Sequence, residues 1–141
     1  MPKPYISATV KQLVFEQAGR CCEYCKSPAN YTTDPFSIEH IVPLSKNGLN
    51  APINLALPCL GCNSYKFTKT EYHDPTTRLI FPLFNPRTMG WDDHFMWDKT
   101  FTLIVAKTST GRATIAALKL NREEVKNLRY ALAAIGVHPP K

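Results

Sequence analysis

The stretch that decides the fold is residues 38–66, which read IEHIVPLSKNGLNAPINLALPCLGCNSYK. It contains a Glu-His pair, a Cys-x-x-Cys motif and an asparagine directly after the second cysteine. A further Cys-x-x-Cys motif lies upstream of it. One part of this set suits a structural metal ion, and the other part suits hydrolysis of a phosphodiester bond.

Four cysteines, Cys22, Cys25, Cys59 and Cys62, form two pairs with 33 residues between them. Two residues between cysteines allow both thiolates to bind one ion, and two such pairs complete a tetrahedral zinc site with no open position. We therefore predict a structural Zn²⁺ that supplies folding free energy and fixes the helix beginning near Cys62. The alternatives are a coincidental pair of motifs and a redox pair. Cys21 is expected to be a spare, partly buried thiol.

The Glu-His pair and the asparagine are candidates for catalysis. An imidazole titrates near neutral pH and can accept a proton from water, so His40 is the candidate general base. Glu39 and Asn63 offer hard oxygen ligands that suit Mg²⁺ or Mn²⁺. Asn54 is expected to fix the loop before the second strand and the orientation of His40. Lys66 lies one helical turn beyond Asn63 and is a candidate phosphate ligand.

Two alternatives to a shared catalytic site arise from ordinary structure. A lone histidine on an apolar strand usually lies in the core, and Asn63 could merely cap a helix. Neighbouring residues of a regular strand also point to opposite faces. Glu39 and His40 therefore require an irregular backbone at residues 39–41, or a site at the end of the strand.

Composition limits the class of protein. The chain has 141 residues, which suits one domain, and a net charge of +6, which favours a polyanionic partner such as nucleic acid. No apolar run approaches the roughly 18 residues of a membrane span. The first ten residues, MPKPYISATV, lack the apolar core of a secretory signal. We expect a cytoplasmic protein with reduced thiols and no membrane span.

Local patterns predict the elements of the first half. Ser7 can cap a first helix, and Gly19 can end it. Residues 36–42 and 53–57 are apolar enough for two short strands. The segment 59–72 begins as a metal-binding turn and continues as a helix, which gives the order strand, loop, strand, helix.

The second half is predicted to begin with an extended connector at 79–86, flanked by Arg78 and Arg87 as candidate phosphate ligands. A hairpin over residues 95–97 and 101–106 should follow. Its inward residues are predicted to be Phe101, Leu103 and Val105.

A final helix is predicted from a capping box of Asn121 and Glu124, and Gly136 can end it. Its buried stripe is predicted to be Val125, Leu128, Leu132 and Ile135.

These motifs resemble the HNH endonuclease family with its ββα-metal motif. The segments that carry the resemblance are Cys22-Glu23-Tyr24-Cys25, Glu39-His40-Ile41-Val42-Pro43, Asn54-Leu55 and Cys59-x2-Cys62-Asn63-x2-Lys66. The resemblance implies a treble-clef-like core over about residues 20–72. It also implies His40 as the general base, Glu39 and Asn63 as ligands of the catalytic cation, and Asn54 as a supporting residue.

The chain departs from the family pattern in two ways. Asn63 stands where some members have a histidine, and Glu39 replaces the more frequent aspartate. Residues 79–138 are similar to the C-terminal extension of HNH proteins that are frequent in cyanobacteria.

We therefore expect a single α+β domain over residues 1–141, with a zinc-stapled HNH core and a hairpin-plus-helix extension. The expected activity is cation-dependent cleavage of DNA. The alternatives are a non-catalytic zinc module that binds nucleic acid or protein, an RNA nuclease, and a toxin-like effector.

Overall fold

The structure is a computed structural model that describes residues 4–141. In that range it is a mixed α+β fold, as the sequence predicts, with five α-helices and three separate two-stranded antiparallel sheets. The elements are α1 Ala8–Gln17, β1 Glu39–His40, β2 Leu55–Ala56, α2 Leu60–Lys66, β3 Glu71–His73, β4 Ile80–Pro82, α3 Trp91–His94, β5 Phe95–Trp97, β6 Ile104–Ala106, α4 Ser109–Leu118 and α5 Glu123–Ala134.

Helix α1 forms where the sequence predicts it. The Ser7 hydroxyl accepts a hydrogen bond from the Val10 backbone N–H at 3.2 Å, which satisfies one of the free donors of the first turn. Gly19 follows the helix with φ +65°, a conformation that glycine adopts without a steric penalty. The buried residue of α1 is Val14.

The strand–loop–strand–helix unit is present but shorter than predicted. Strands β1 and β2 pair antiparallel with only two residues each, because the chain bends at Ile41 and Val42 and a 3₁₀ turn occupies Pro52–Asn54. Helix α2 ends at Lys66 instead of residue 72, because Phe67 adopts φ +49° and turns the chain into β3. The predicted irregular backbone therefore begins directly after His40.

The extension differs from the prediction in its first hairpin. Residues 79–86 were expected to be only a connector, yet β4 pairs with β3, with Tyr72 opposite Phe81. The second hairpin, β5–β6, is confirmed.

The inward face predicted for residues 101–106 is wrong. Ile104 is 2% exposed and lies in the core, whereas Phe101, Leu103 and Val105 are 37–43% exposed. Residues 101–103 form a bend, so strand alternation does not apply to them. The Asn121 side chain forms two hydrogen bonds with the backbone of Ile104. It accepts from the Ile104 N–H at 2.8 Å and donates to the Ile104 carbonyl at 2.9 Å.

The predicted capping box of Asn121 and Glu124 is also wrong. The N-cap of α5 is Arg122, without a side-chain cap bond, because the Asn121 side chain is engaged with β6. Along α5, Val125 and Leu132 are buried as predicted, and Ile135 is 64% exposed just beyond the last turn.

One buried cluster joins the two halves of the chain. It contains the four paired cysteines together with side chains of the extension, among them Leu83, Phe84, Phe95 and Leu118. A smaller cluster of Val14, Leu55 and Leu57 lies under α1. Among residues 4–141, no helix is long and apolar enough to cross a membrane.

Candidate functional site

The four paired cysteines converge in the structure. The sulfurs of Cys22, Cys25, Cys59 and Cys62 all lie within 4.8 Å of one another, and all four residues are buried. Cys25 Sγ and Cys59 Sγ are 3.7 Å apart. A tetrahedral zinc with Zn–S bonds of about 2.3 Å separates its sulfurs by roughly 3.8 Å, so the cluster fits this ion. Cys21 is buried but lies outside the cluster.

The backbone around the cluster is arranged to stabilise thiolates. The N–H of Cys25 donates to Cys22 Sγ, and the N–H of Cys62 donates to Cys59 Sγ, each at 3.4 Å. The Ser27 hydroxyl lies 3.2 Å from Cys25 Sγ. The second pair also forms the start of α2, with Cys59 as its N-cap. The metal site therefore fixes the first turn of that helix.

Arg122 of the extension adds a positive charge to this site. Its Nη1 donates to Cys62 Sγ at 3.6 Å and its Nη2 to Cys59 Sγ at 3.5 Å. A Cβ on Gly61 would lie 2.5 Å from Nη2, so a larger residue there would displace the guanidinium from this position. Burial acts to lower the pKa of Arg122, but the neighbouring sulfurs of Cys62, Cys25 and Cys59 raise it above its usual range. The guanidinium therefore offsets the negative charge that four thiolates would bring into the core.

A cleft of about 470 Å³ lies between the end of β1 and helix α2. The three candidate catalytic residues Glu39, His40 and Asn63 all line it, and each is half-buried. The other lining residues are Pro43, Leu44, Ser45, Ser64, Phe67 and Thr68. The cleft thus brings an imidazole, a carboxylate and an amide to one surface, at the point where the strand ends.

The His40 ring is held by Asn50. Nε2 of His40 and Oδ1 of Asn50 are 2.9 Å apart, and Nδ2 of Asn50 donates to the Tyr5 carbonyl at 3.3 Å. Because the amide nitrogen is engaged with Tyr5, the amide oxygen faces the ring and accepts from Nε2–H. The neutral ring then carries its lone pair on Nδ1.

Asn54 holds the loop rather than His40. Its Oδ1 accepts from the Val42 N–H at 2.8 Å, and its Nδ2 donates to the carbonyls of Val42 and Leu49 at 2.9 and 2.8 Å. Asn54 is buried and does not line the cleft. It therefore closes the base of the loop that follows His40, as expected, while direct contact with the ring comes from Asn50.

Lys66 does not line the cleft. It is 5% exposed, and its Nζ donates to the Ile41 carbonyl at 2.6 Å. Burial and the nearby charge of Lys46 lower the pKa of Lys66 to about 8, although Glu39 opposes the shift. In this structure Lys66 holds the bend after β1 and is not free to bind a phosphate.

The two arginines predicted to bind phosphate also lie outside the cleft. The Arg87 side chain is 3% exposed, forms an ion pair with Glu23 and donates to Gln17. This pair ties the connector to the first cysteine pair and leaves Arg87 no free face. Arg78 is exposed in the turn between β3 and β4, and its role stays a prediction.

The sequence patterns did not indicate Asn50 and Phe67 as neighbours of the cleft residues. They also did not indicate Arg122 as a neighbour of the cysteine cluster. Asn50 and Arg122 act through partners distant in the chain, so no local pattern marks them.

The comparisons with known proteins agree with the geometry of this segment. Residues 22–69 match the family model for HNH endonuclease. The matched range contains both cysteine pairs and all three candidate catalytic residues of the cleft. No curated protein and no solved structure matches the chain. Residues 22–69, about a third of the chain, are therefore similar to HNH endonucleases, and within them two Cys-x2-Cys pairs converge on one candidate metal site.

Proposed function

We propose that this protein is a divalent-cation-dependent HNH endonuclease that hydrolyses phosphodiester bonds of DNA. The observation that carries the proposal is the shared cleft of Glu39, His40 and Asn63. The match to the HNH endonuclease family model, which covers this segment, adds support to the proposal.

His40 is the general base in this proposal. With Nε2 bonded to Asn50, the ring offers Nδ1 as the acceptor for a proton from water. The resulting imidazolium is stabilised by the Asn50 carbonyl oxygen, which accepts from Nε2–H in both protonation states. Proton removal makes the water a stronger nucleophile toward phosphorus.

Glu39 and Asn63 would hold the catalytic Mg²⁺ or Mn²⁺. When bound, such a cation supplies electrostatic stabilisation of the phosphate oxygens and of the leaving oxygen. A carboxylate oxygen and an amide oxygen are the ligand types that these ions favour. Because Asn63 directly follows Cys62, the cysteine site determines where this amide points.

The cysteine site has a structural role in the proposal. The four buried sulfurs would fill the tetrahedral coordination of a bound Zn²⁺ and would leave no position for water or substrate. Zinc thus orients α2, and the hydrolytic chemistry belongs to the cleft.

DNA is the proposed substrate because the chain carries a net charge of +6. Exposed Lys46 directly follows two residues of the cleft lining and is a proposed phosphate contact, with Arg78 as a more distant one. Lys66 and Arg87 are not part of this surface, because both are buried and bonded elsewhere.

The test is nicking of supercoiled plasmid in Mg²⁺ or Mn²⁺, with His40→Ala as the inactivating variant. His73→Ala is the matched control, since His73 is an exposed histidine outside the cleft. We expect the native protein and His73→Ala to nick equally. His40→Ala should lose at least about 100-fold in rate, a typical effect of removing a general base.

Equal cutting by native protein and His40→Ala would contradict the assignment of the base. DNA binding without nicking in any divalent cation would favour the non-catalytic zinc module. Faster cleavage of RNA than of DNA would show that RNA, and not DNA, is the preferred substrate.

A further inference from the structure

Phe67 is an exposed aromatic residue on the rim of the cleft. It lines the same cleft as Glu39, His40 and Asn63, and 74% of it is exposed. Within residues 4–141, none of the ring–ring or cation–ring contacts involves Phe67. The ring therefore adds little to the packing of the chain that presents it.

The backbone of Phe67 is unfavourable for a phenylalanine. Its φ of +49° and ψ of −122° are those of the first central position of a type II′ turn, which glycine favours. The turn is closed by the Lys69 N–H, which donates to the Lys66 carbonyl at 2.9 Å. A side chain in such a conformation is strained. The sequence thus places a strained, solvent-exposed ring where a glycine would be more stable.

We propose that Phe67 stacks on a nucleobase of DNA bound in the cleft, next to the phosphate that is cut. This inference rests on the proposed function. Aromatic side chains bind bases of any sequence by stacking, since every base has a π-face. Bases inside a regular duplex are already stacked on each other, so the ring can reach only a base that is unpaired or displaced from its stack. Phe67 therefore makes the protein prefer DNA with a locally unpaired step.

Binding is measured in the His40→Ala background, so that cleavage does not interfere. The probe is a short fluorescent duplex with a central mismatch, titrated at several salt concentrations, and the same duplex fully paired. The variants are Phe67→Gly and Phe67→Tyr. The matched control is Phe101→Gly, because Phe101 also combines an exposed ring with φ +58° and lies outside the cleft.

Phe67→Gly is expected to bind the mismatched duplex about 5- to 100-fold more weakly, which is the range of one lost stacking contact. Its slope of binding against salt should not change, because no phosphate contact is removed. Phe67→Tyr and Phe101→Gly should bind like the parent. The melting temperature of Phe67→Gly should be unchanged or higher by up to about 5 °C, because strain is removed and little packing is lost.

Three results would overturn the inference. Unchanged affinity of Phe67→Gly, in a protein that binds and cuts DNA, would refute the stacking role and leave the nuclease intact. A lower melting temperature for Phe67→Gly would show that the ring serves the fold. Failure of native protein to bind or cut either duplex would refute the proposed function, and this inference with it.

Discussion

Asn50 connects the proposed general base to the segment before α1. Its amide nitrogen donates to Tyr5 and its oxygen faces the His40 ring, so the chain itself determines which ring nitrogen is free. We expect Asn50→Ala to lower kcat of plasmid nicking by about 10- to 100-fold, the range seen when a hydrogen-bond partner orients a functional histidine. KM should change much less, because Asn50 does not line the cleft.

The conservative variant Asn50→Asp separates a positioning role from a purely structural one. Its carboxylate can still accept from the ring, and its negative charge favours the protonated imidazole. The pH at which nicking reaches half of its maximum should therefore rise by about one unit. A pH profile identical to that of the native protein would contradict this role.

The sequence indicated His40, Glu39 and Asn63 because cysteines and apolar strands frame them at short range. It could not indicate Asn50, whose partners lie ten residues upstream and in the N-terminal segment. A contact of this kind depends on how the loop closes, and periodicity does not reveal that. Lys66 was misread for a related reason, since its helical spacing predicts a shared face with Asn63 but not the bend at Ile41 that buries it.

At the scale of elements, an ion pair joins the end of β3 to α4. Arg112 donates to both carboxylate oxygens of Asp74, at 2.9 and 2.8 Å. The Arg112 hydrogen bonds hold the pKa of Asp74 well below its usual range. The folded-state pKa is therefore lower than the unfolded value of about 3.9. The stabilising contribution is present above that value and is lost as the pH falls below about 4.

We expect Asp74→Asn to lower the urea midpoint at neutral pH and to flatten the loss of stability between about pH 4 and 2. Exposed Asp93 provides the control variant Asp93→Asn, which should follow the native curve. Chemical unfolding across this pH range is the measurement. Parallel curves for native protein and Asp74→Asn would show that the pair does not contribute to the acid transition.

The elements with strong local signals were predictable. The Ser7 cap specifies α1, and two β-favouring runs specify β5 and β6. Helix α4 was missed because its first turns contain Thr110, Gly111 and Thr114, which are weak helix formers. Close packing against the rest of the chain determines where α4 lies. At Gly111 the helix approaches the His94 backbone so closely that a Cβ would lie 2.4 Å from the His94 carbonyl oxygen. Hairpin β3–β4 was missed because Pro82 at its end suggested an extended connector.

At the scale of the whole molecule, the four cysteines share one buried cluster with the extension. We propose that residues 1–141 fold as one cooperative unit whose stability depends on zinc. Removal of zinc by a chelator should then unfold both halves in one transition. Trp91 and Trp97 report on the extension, because both pack against this cluster. Their fluorescence change should coincide with zinc release.

Cys59→Ser should lower zinc content and melting temperature together, by the loss of one of four ligands. Cys21→Ser is the matched control, a buried cysteine outside the metal site, and should keep one zinc per chain. Loss of zinc without a tryptophan signal would indicate that the extension folds independently of the core.

The side chain of Asn54 closes the base of the loop between β1 and β2 with three hydrogen bonds. Gly48 permits this closure, because a Cβ there would lie 1.8 Å from the Val42 carbonyl oxygen. Residues 44–47 at the tip are exposed and lie beyond the closure. Replacing the residues of this tip would therefore change the shape of the cleft entrance and leave the imidazole of His40 in place. Exchange of this loop alone could then change which DNA targets the protein prefers.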